Sequence, residues 1–246
     1  MKTALSLADI LARPDVWCAD RLAPSPLPTL ASGFAPLDGE LPGGGWPRAT
    51  LAEILVDGSG LGECSLVLPA LGRLRSEGRW SLLIAPPHRV NGPAWAAHGV
   101  DLTRLAVVAP ARPRDALWAA EQALASGALG SLLLWAPCVD AAQVRRLQVA
   151  AAGSNTVAFL FRPARAQSES SAAGLRLLLS AAARGSLAVN LLKRRGPPCT
   201  RTLILEPQRP LCENNKSVEF HDSGPAVAGF ASAVSGARSQ RTLAFA

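Results

Sequence analysis

Residues 57–64, Asp-Gly-Ser-Gly-Leu-Gly-Glu-Cys, stand where an apolar run gives way to a helical pattern, the position at which an α/β protein can cradle phosphates. A loop that does so reads G-x-x-x-x-G-K-[ST]: backbone N–H groups wrap the phosphates, the lysine meets the β/γ oxygens and the hydroxyl holds Mg²⁺. Here Asp57 stands at the first glycine, Gly58 and Gly62 keep the turn pliable, Glu63 takes the lysine position and Cys64 the hydroxyl position. A carboxylate 4 Å from a phosphate oxygen is repelled by about 4 kcal/mol at an effective dielectric near 20. The pattern therefore predicts a strand-to-helix turn of the right shape that binds no phosphate and no nucleotide cofactor.

Other reactive side chains form no catalytic set. Ser59 and Ser65 flank Cys64, but no histidine follows in the role of a base, so a hydrolase reading is weak. The five cysteines (Cys18, Cys64, Cys138, Cys199, Cys212) show no C-x-x-C pairing and an odd total, which argues against both a disulfide framework and a zinc site. His88, His98 and His221 lie far from any cysteine at ligand spacing and read as solvated or capping residues.

The densest positive cluster is Lys193-Arg194-Arg195, followed by Gly196-Pro197-Pro198, with Arg184 before it and Arg201 after it. Lys193, Arg194, Arg195 and Arg201 are candidates for contact with nucleic-acid phosphates or an acidic partner; a solvated strand end is the plainer alternative. The net charge of +7 and pI near 9.9 favour acidic partners, as would a genome rich in arginine codons. The six tryptophans are dispersed rather than interleaved with basic residues, so no stacking platform for single strands is indicated. They read as packing residues, although Trp17 and Trp46, in irregular segments, could anchor a partner.

These residues need a scaffold, and the apolar pattern supplies one. Strands are expected at 49–56, 80–85, 105–108, 131–135, 156–161, 175–180 and 187–192, and helices at 66–76, 94–98, 113–126 and 140–152. Alternation of this kind specifies an α/β fold with a mainly parallel sheet covered by helices on both faces. The last two strands follow each other without a helix, which predicts an antiparallel edge. Three domain-level regions are expected: an N-terminal helix and proline-rich arm (1–30), an α/β domain (31–206) and a C-terminal tail (207–246). The tail is rich in Pro, Ser, Gly and Asn and reads as disordered, with Phe220, Phe230 and Phe245 as docking points. Asp9 interrupts the first apolar stretch, which therefore reads as an amphipathic helix rather than a signal peptide, and no run reaches membrane-spanning length; a cytoplasmic protein is expected.

The order of features resembles the RecA core from about residue 30 to 195: the lead-in at 32–38, the Gly43-Gly44-Gly45-Trp46-Pro47-Arg48 turn, Glu53-Ile54 before the loop, Gly99-Val100-Asp101 and Asn155. More closely, Ala12-Arg13-Pro14-Asp15-Val16-Trp17, Leu37-Asp38 with Leu41 to Pro47, and Leu192 to Pro198 resemble the ImuA family of RecA-like, SulA-related proteins. The resemblance implies a RecA-like P-loop core with a degenerate nucleotide site. Pro87 falls at its catalytic glutamate, Ala136 at its metal-associated aspartate, and Arg162 within the segment that senses nucleotide; the DNA-binding loop shrinks to 164–173. With the lysine, metal ligands and water-positioning group all replaced, no enzyme is expected.

What the ImuA resemblance implies is a non-catalytic adaptor of SOS-induced translesion synthesis, partnered with an ImuB-type Y-family polymerase-like subunit, an error-prone DNA polymerase, RecA and DNA. The alternatives are a SulA-type inhibitor of cell division that binds the tubulin-like division protein, with residues 79–162 as its SulA-related stretch, and a nucleotide-binding RecA-like ATPase.

Overall fold

The computed structural model describes residues 28–58 and 60–207. The expected N-terminal helix and most of the arm, Trp17, Ser59 and the tail phenylalanines lie outside them. Ten strands and five α-helices are formed in chain order among the described residues. Strands β1 (Thr29–Leu30) and β2 (Trp46–Pro47) pair antiparallel around helix α1 (Ala35–Asp38). There follow β3 (Thr50–Val56), α2 (Glu63–Arg73), β4 (Trp80–Ile84), α3 (Gly92–Ala97), β5 (Leu105–Val108), α4 (Pro113–Ala125), β6 (Leu129–Trp135), α5 (Ala141–Ala152) and β7 (Val157–Pro163). Strands β8 (Leu175–Ala181), β9 (Leu187–Lys193) and β10 (Leu203–Leu205) complete an eight-stranded sheet of order β10-β9-β8-β3-β7-β6-β4-β5.

The six strands from β8 to β5 are parallel, and β9 and β10 add antiparallel at one edge. The expected α/β architecture, its mainly parallel sheet and its antiparallel edge are present. Chain direction explains why both faces are covered. From β3 the chain steps outward to β4 and β5, and its crossovers pack Leu66, Leu71 and Trp95 on one face with Ala52, Ile54 and Leu83. It then steps back through β6 to β7, and right-handed crossovers in the reverse direction must use the other face. Leu117, Leu124, Val144 and Leu147 accordingly pack there with Leu51, Leu132 and Leu160.

Close approach rather than apolar burial alone sets the lead-in against α2. Gly33, at φ +91°, lies so near Pro69 that an added Cβ would come within 2.6 Å of the proline Cβ. Behind it Trp46 is fully buried, edge-to-face with Phe159 at 5.1 Å. The expectation that Trp46 could anchor a partner fails, because its irregular segment folds under the sheet. The packing reading of the tryptophans fails at Trp118 and Trp80, which are 64% and 43% exposed. Helix α2 begins at Glu63, three residues before the periodic pattern, because apolar spacing marks only the turns that face the sheet. Strand β10 escaped the sequence reading: three residues are too few to display a period.

One strand carries a charge into the core. Glu53 on β3 is fully buried and stands opposite Arg176 of β8 in register, with Arg162 of neighbouring β7 on the same face. Its Oε1 accepts from Arg162 Nη1 at 2.7 Å and its Oε2 from Arg176 Nε at 2.6 Å. Removing one partner of a buried pair costs about 3–5 kcal/mol, since the remaining charge is stranded in low dielectric. Glu53→Gln is expected to lower unfolding free energy by about that amount in urea titrations. The triple variant Glu53→Leu, Arg162→Met, Arg176→Met, which removes all three charges together, should recover a large part of the loss.

Candidate functional site

The loop after β3 has the shape its glycines predict. Gly58, Gly60 and Gly62 adopt φ of +96°, +82° and +104°, and Gly62 is the residue immediately before α2. Left-handed backbone of this kind turns loop N–H groups inward, where a phosphate loop would receive its anion. In this chain the anion is internal: Glu63 Oε2 accepts from the Gly62 N–H at 3.2 Å, and the Glu63 side chain is buried. Cys64 is half-buried beside it; burial first, and the Glu63 carboxylate second, push its thiol up to about 12. Asp57 is exposed at the loop mouth.

Glu63 lines an open cavity of about 540 Å³ at the carboxyl ends of β3, β4, β6 and β7, where α/β sheets carry their ligand sites. The residues at the resemblance's catalytic positions converge on it, for Pro87, Ala136 and Arg162 all form part of its wall. They bring no catalytic set. Five prolines, Pro87, Pro110, Pro113, Pro137 and Pro163, line the rim and contribute no backbone donors. The Trp135 and Phe161 rings stack at 4.7 Å in the wall, and Trp135 Nε1 has no acceptor among the described residues.

Arg162 is committed to partners inside the fold. Besides Glu53, its Nη2 donates to Glu169 Oε2 at 2.6 Å and to the Val139 carbonyl at 3.0 Å. Burial disfavours its cation, but hydrogen bonds and charge from Glu53 and Glu169 outweigh that and raise its pKa. Arg176 donates to the Glu169 and Ala166 carbonyls, so the two arginines also order the short 164–173 connection.

The basic cluster is divided by the fold. The Arg194 side chain is only 7% exposed. Its Nη1 meets Glu40 Oε2 at 2.5 Å and the Glu40 carbonyl at 2.7 Å, while its Nε donates to the Pro197 carbonyl. Arg201 reaches the other Glu40 oxygen at 2.5 Å yet stays exposed. Lys193 donates to the Ser171 carbonyl at 2.9 Å, which brings the cluster to the short loop, and Arg195 is exposed. Arg194 thus staples the end of β9 to the lead-in after α1. Lys193, Arg195 and Arg201 face solvent, and Arg184 lies at φ +57° in the turn before β9. Among the sequence candidates, Gly58 and Glu63 line the cavity, whereas Gly62 approaches Leu187 of β9 and Cys64 packs into the core beside it. Arg194 and Arg201 meet at Glu40, and Lys193 reaches Ser171.

Residues 52–158, which span β3 to the start of β7 and most of the cavity wall, match the family model described as "Cell division inhibitor SulA". This segment is SulA-related. Proteins named cell division inhibitor SulA are similar to it: that of Edwardsiella piscicida is 35% identical over 100 residues, 40% of this chain and 60% of the relative. That of Pectobacterium atrosepticum is 31% identical over 99 residues, 40% and 59% of the two chains. That of Photorhabdus laumondii is 30% identical over 111 residues, 45% and 63%. The chain therefore spans about 60% of the length of the curated relatives it matches. The lead-in and β8 to β10, with Arg176, Arg194 and Arg201, fall outside the matched residues. Among the described residues no helix is long and apolar enough to cross a membrane.

Two measurements check this electrostatic picture. At pH 8 a thiol titrating at about 12 is ionised in only about one molecule in ten thousand, so Cys64 should resist iodoacetamide while exposed Cys138 is alkylated, as peptide mass mapping will show. Burial raises the Glu40 carboxyl, but the Arg194 hydrogen bond and the Arg201 and Arg194 charges outweigh it and hold it below its ordinary 4.5. A depressed carboxyl stabilises the fold fully above its unfolded value and loses that contribution as pH falls through the folded value. Stability should thus hold above about pH 4.5 and fall below it, and Glu40→Gln should flatten that acid limb in denaturation curves.

Proposed function

We propose that the chain is a non-catalytic, SulA-related docking protein of the DNA-damage response that inhibits cell division by binding the tubulin-like division protein. The SulA match to residues 52–158 carries this reading, since it takes in the parallel core and most of the cavity at its carboxyl edge. The site chemistry supports a binding rather than an enzymatic role. Phosphoryl transfer needs a cation on the phosphates, a metal ligand and a group that positions water, and those positions hold Glu63, Ala136 and Pro87. In this reading the loop is a degenerate P-loop on a RecA-like core, kept for its turn.

A second reading is favoured by what lies outside the SulA-related segment. The lead-in and β8 to β10 are built into the same core, and the Arg194–Glu40 pair fastens one to the other. These flanks carry the residues on which the ImuA resemblance rests, Leu37 to Pro47 and Leu192 to Pro198. On this reading the chain is a translesion-synthesis adaptor whose partners are an ImuB-type subunit, an error-prone polymerase and RecA, with Lys193, Arg195 and Arg201 placed to approach DNA.

Co-purification of the full chain with the division protein and, separately, with the polymerase-like subunit decides between them. Retention of the division protein alone supports the first reading, and retention of the polymerase-like subunit alone replaces it with the second. Calorimetry with ATP and Mg²⁺ should give no heat of binding; micromolar affinity would revive the ATPase alternative. For DNA, triple alanine replacement of Lys193, Arg195 and Arg201 is expected to reduce the salt dependence of any binding by up to about 2–3 phosphate contacts. Arg194→Ala should instead destabilise the fold by about 1.5–3 kcal/mol, the cost of losing hydrogen bonds to a charged group.

A further inference from the structure

The cavity at the carboxyl edge of the sheet is large, apolar and open, and the proposed function does not say what it holds. At about 540 Å³ it lies within the range of pockets that hold drug-sized groups. Its walls are Val56, Ala85, Leu117, Val139 and the stacked Trp135–Phe161 pair, which offer dispersion contact and no charge. Prolines stiffen the rim and remove the N–H groups with which such a site would receive an anion.

The charges in and around the cavity are unequal in what they leave over. Arg112 is paired with Asp115 at 2.8 Å, and Arg162 with Glu53 and Glu169. Glu63 in the wall has no cationic partner among the described residues, so the charge left over within the lining is negative. An apolar pocket with a carboxylate of this kind in its wall repels nucleotides and acidic peptides, and complements an apolar group that carries a cation.

We propose that this cavity is a peptide-docking site that takes one or two large apolar side chains of a partner protein, with an adjacent lysine or arginine meeting Glu63. The cation would sit near the Trp135–Phe161 stack, where an aromatic face adds a favourable contact. The inference rests on reading the chain as a docking protein and names the chemistry of what is docked.

The test is fluorescence anisotropy on the full chain with two labelled synthetic peptides, Gly-Ser-Leu-Phe-Leu-Lys-Gly-Ser and the same peptide with Glu in place of Lys. The lysine peptide should bind about tenfold more tightly than the glutamate peptide. Glu63→Gln should bring the two within about threefold of each other. Ala111→Trp and Cys138→Phe fill the cavity from exposed positions and should each abolish binding while leaving the thermal midpoint in place. If only one of these folds, the other decides. No binding by the lysine peptide, preference for the glutamate peptide, or binding that survives the filled variants overturns the proposal. So does uptake of the neutral dye Nile red without either peptide, which would mark a small-molecule pocket. A filled variant that still co-purifies with the protein partner would overturn the cavity assignment and leave the docking function standing.

Discussion

The Glu53 carboxylate, fully buried between Arg162 and Arg176, is the constraint on which the arrangement of this sheet depends. A buried charge is tolerated only where its partners are held in place, and here they sit on the two strands that flank β3. A slip of one residue in either pairing would carry an arginine to the opposite face and leave the glutamate unpaired. The same two arginines reach Val139, Ala166 and Glu169, so the network that fixes strand register also orders the 164–173 connection and sets part of the cavity wall. A stack of leucines could match its stability but would not discriminate between registers.

The loop after β3 combines a glycine-built turn with residue types unlike those of a phosphate loop. Glycines in left-handed conformations still turn the chain from β3 into α2, and α2 still begins beside the loop. The anion that would bind there is supplied by the protein itself, through Glu63 against the Gly62 N–H. Around it the sheet edge has become apolar and proline-lined. Concave surface of this kind excludes charged phosphates and favours burial of hydrocarbon, at roughly 25 cal/mol per Å² removed from water. This is the surface chemistry on which the proposed docking role rests.

Around the SulA-related segment, the flanking elements are integral to the fold. Trp46 from the lead-in packs on Phe159 of β7, and Arg194 at the end of β9 clasps Glu40 after α1. The outer strands cover the side of β3 away from β7 and supply one of the two arginines that neutralise Glu53. The SulA-related core and β8 to β10 therefore form a continuous hydrogen-bonded sheet.

Local composition was enough for the order and type of the main elements. Period-two and period-3.6 patterns mark β3 to β9 and α2, α4 and α5 within a few residues, and Asp140 announces its helix by a capping box with Gln143. The substituted loop was equally legible, because a phosphate loop is a contiguous motif whose residue types dictate its chemistry. Long-range partnership was not. Arg194 read as part of a basic run, but Glu40, 154 residues away, holds it, and Trp46 stood in an irregular segment with nothing to show that Phe159 packs on it. Glu53, Arg162 and Arg176 gave no signal as a set, being separated by 123 residues at their widest. By itself the sequence determined which segments fold and that residues 57–64 depart from the phosphate-loop pattern at the lysine and hydroxyl positions, since both follow from neighbours along the chain. Only the tertiary structure decided which charges are paired inside the molecule and which remain for a partner, because pairing and burial are set by distance in space.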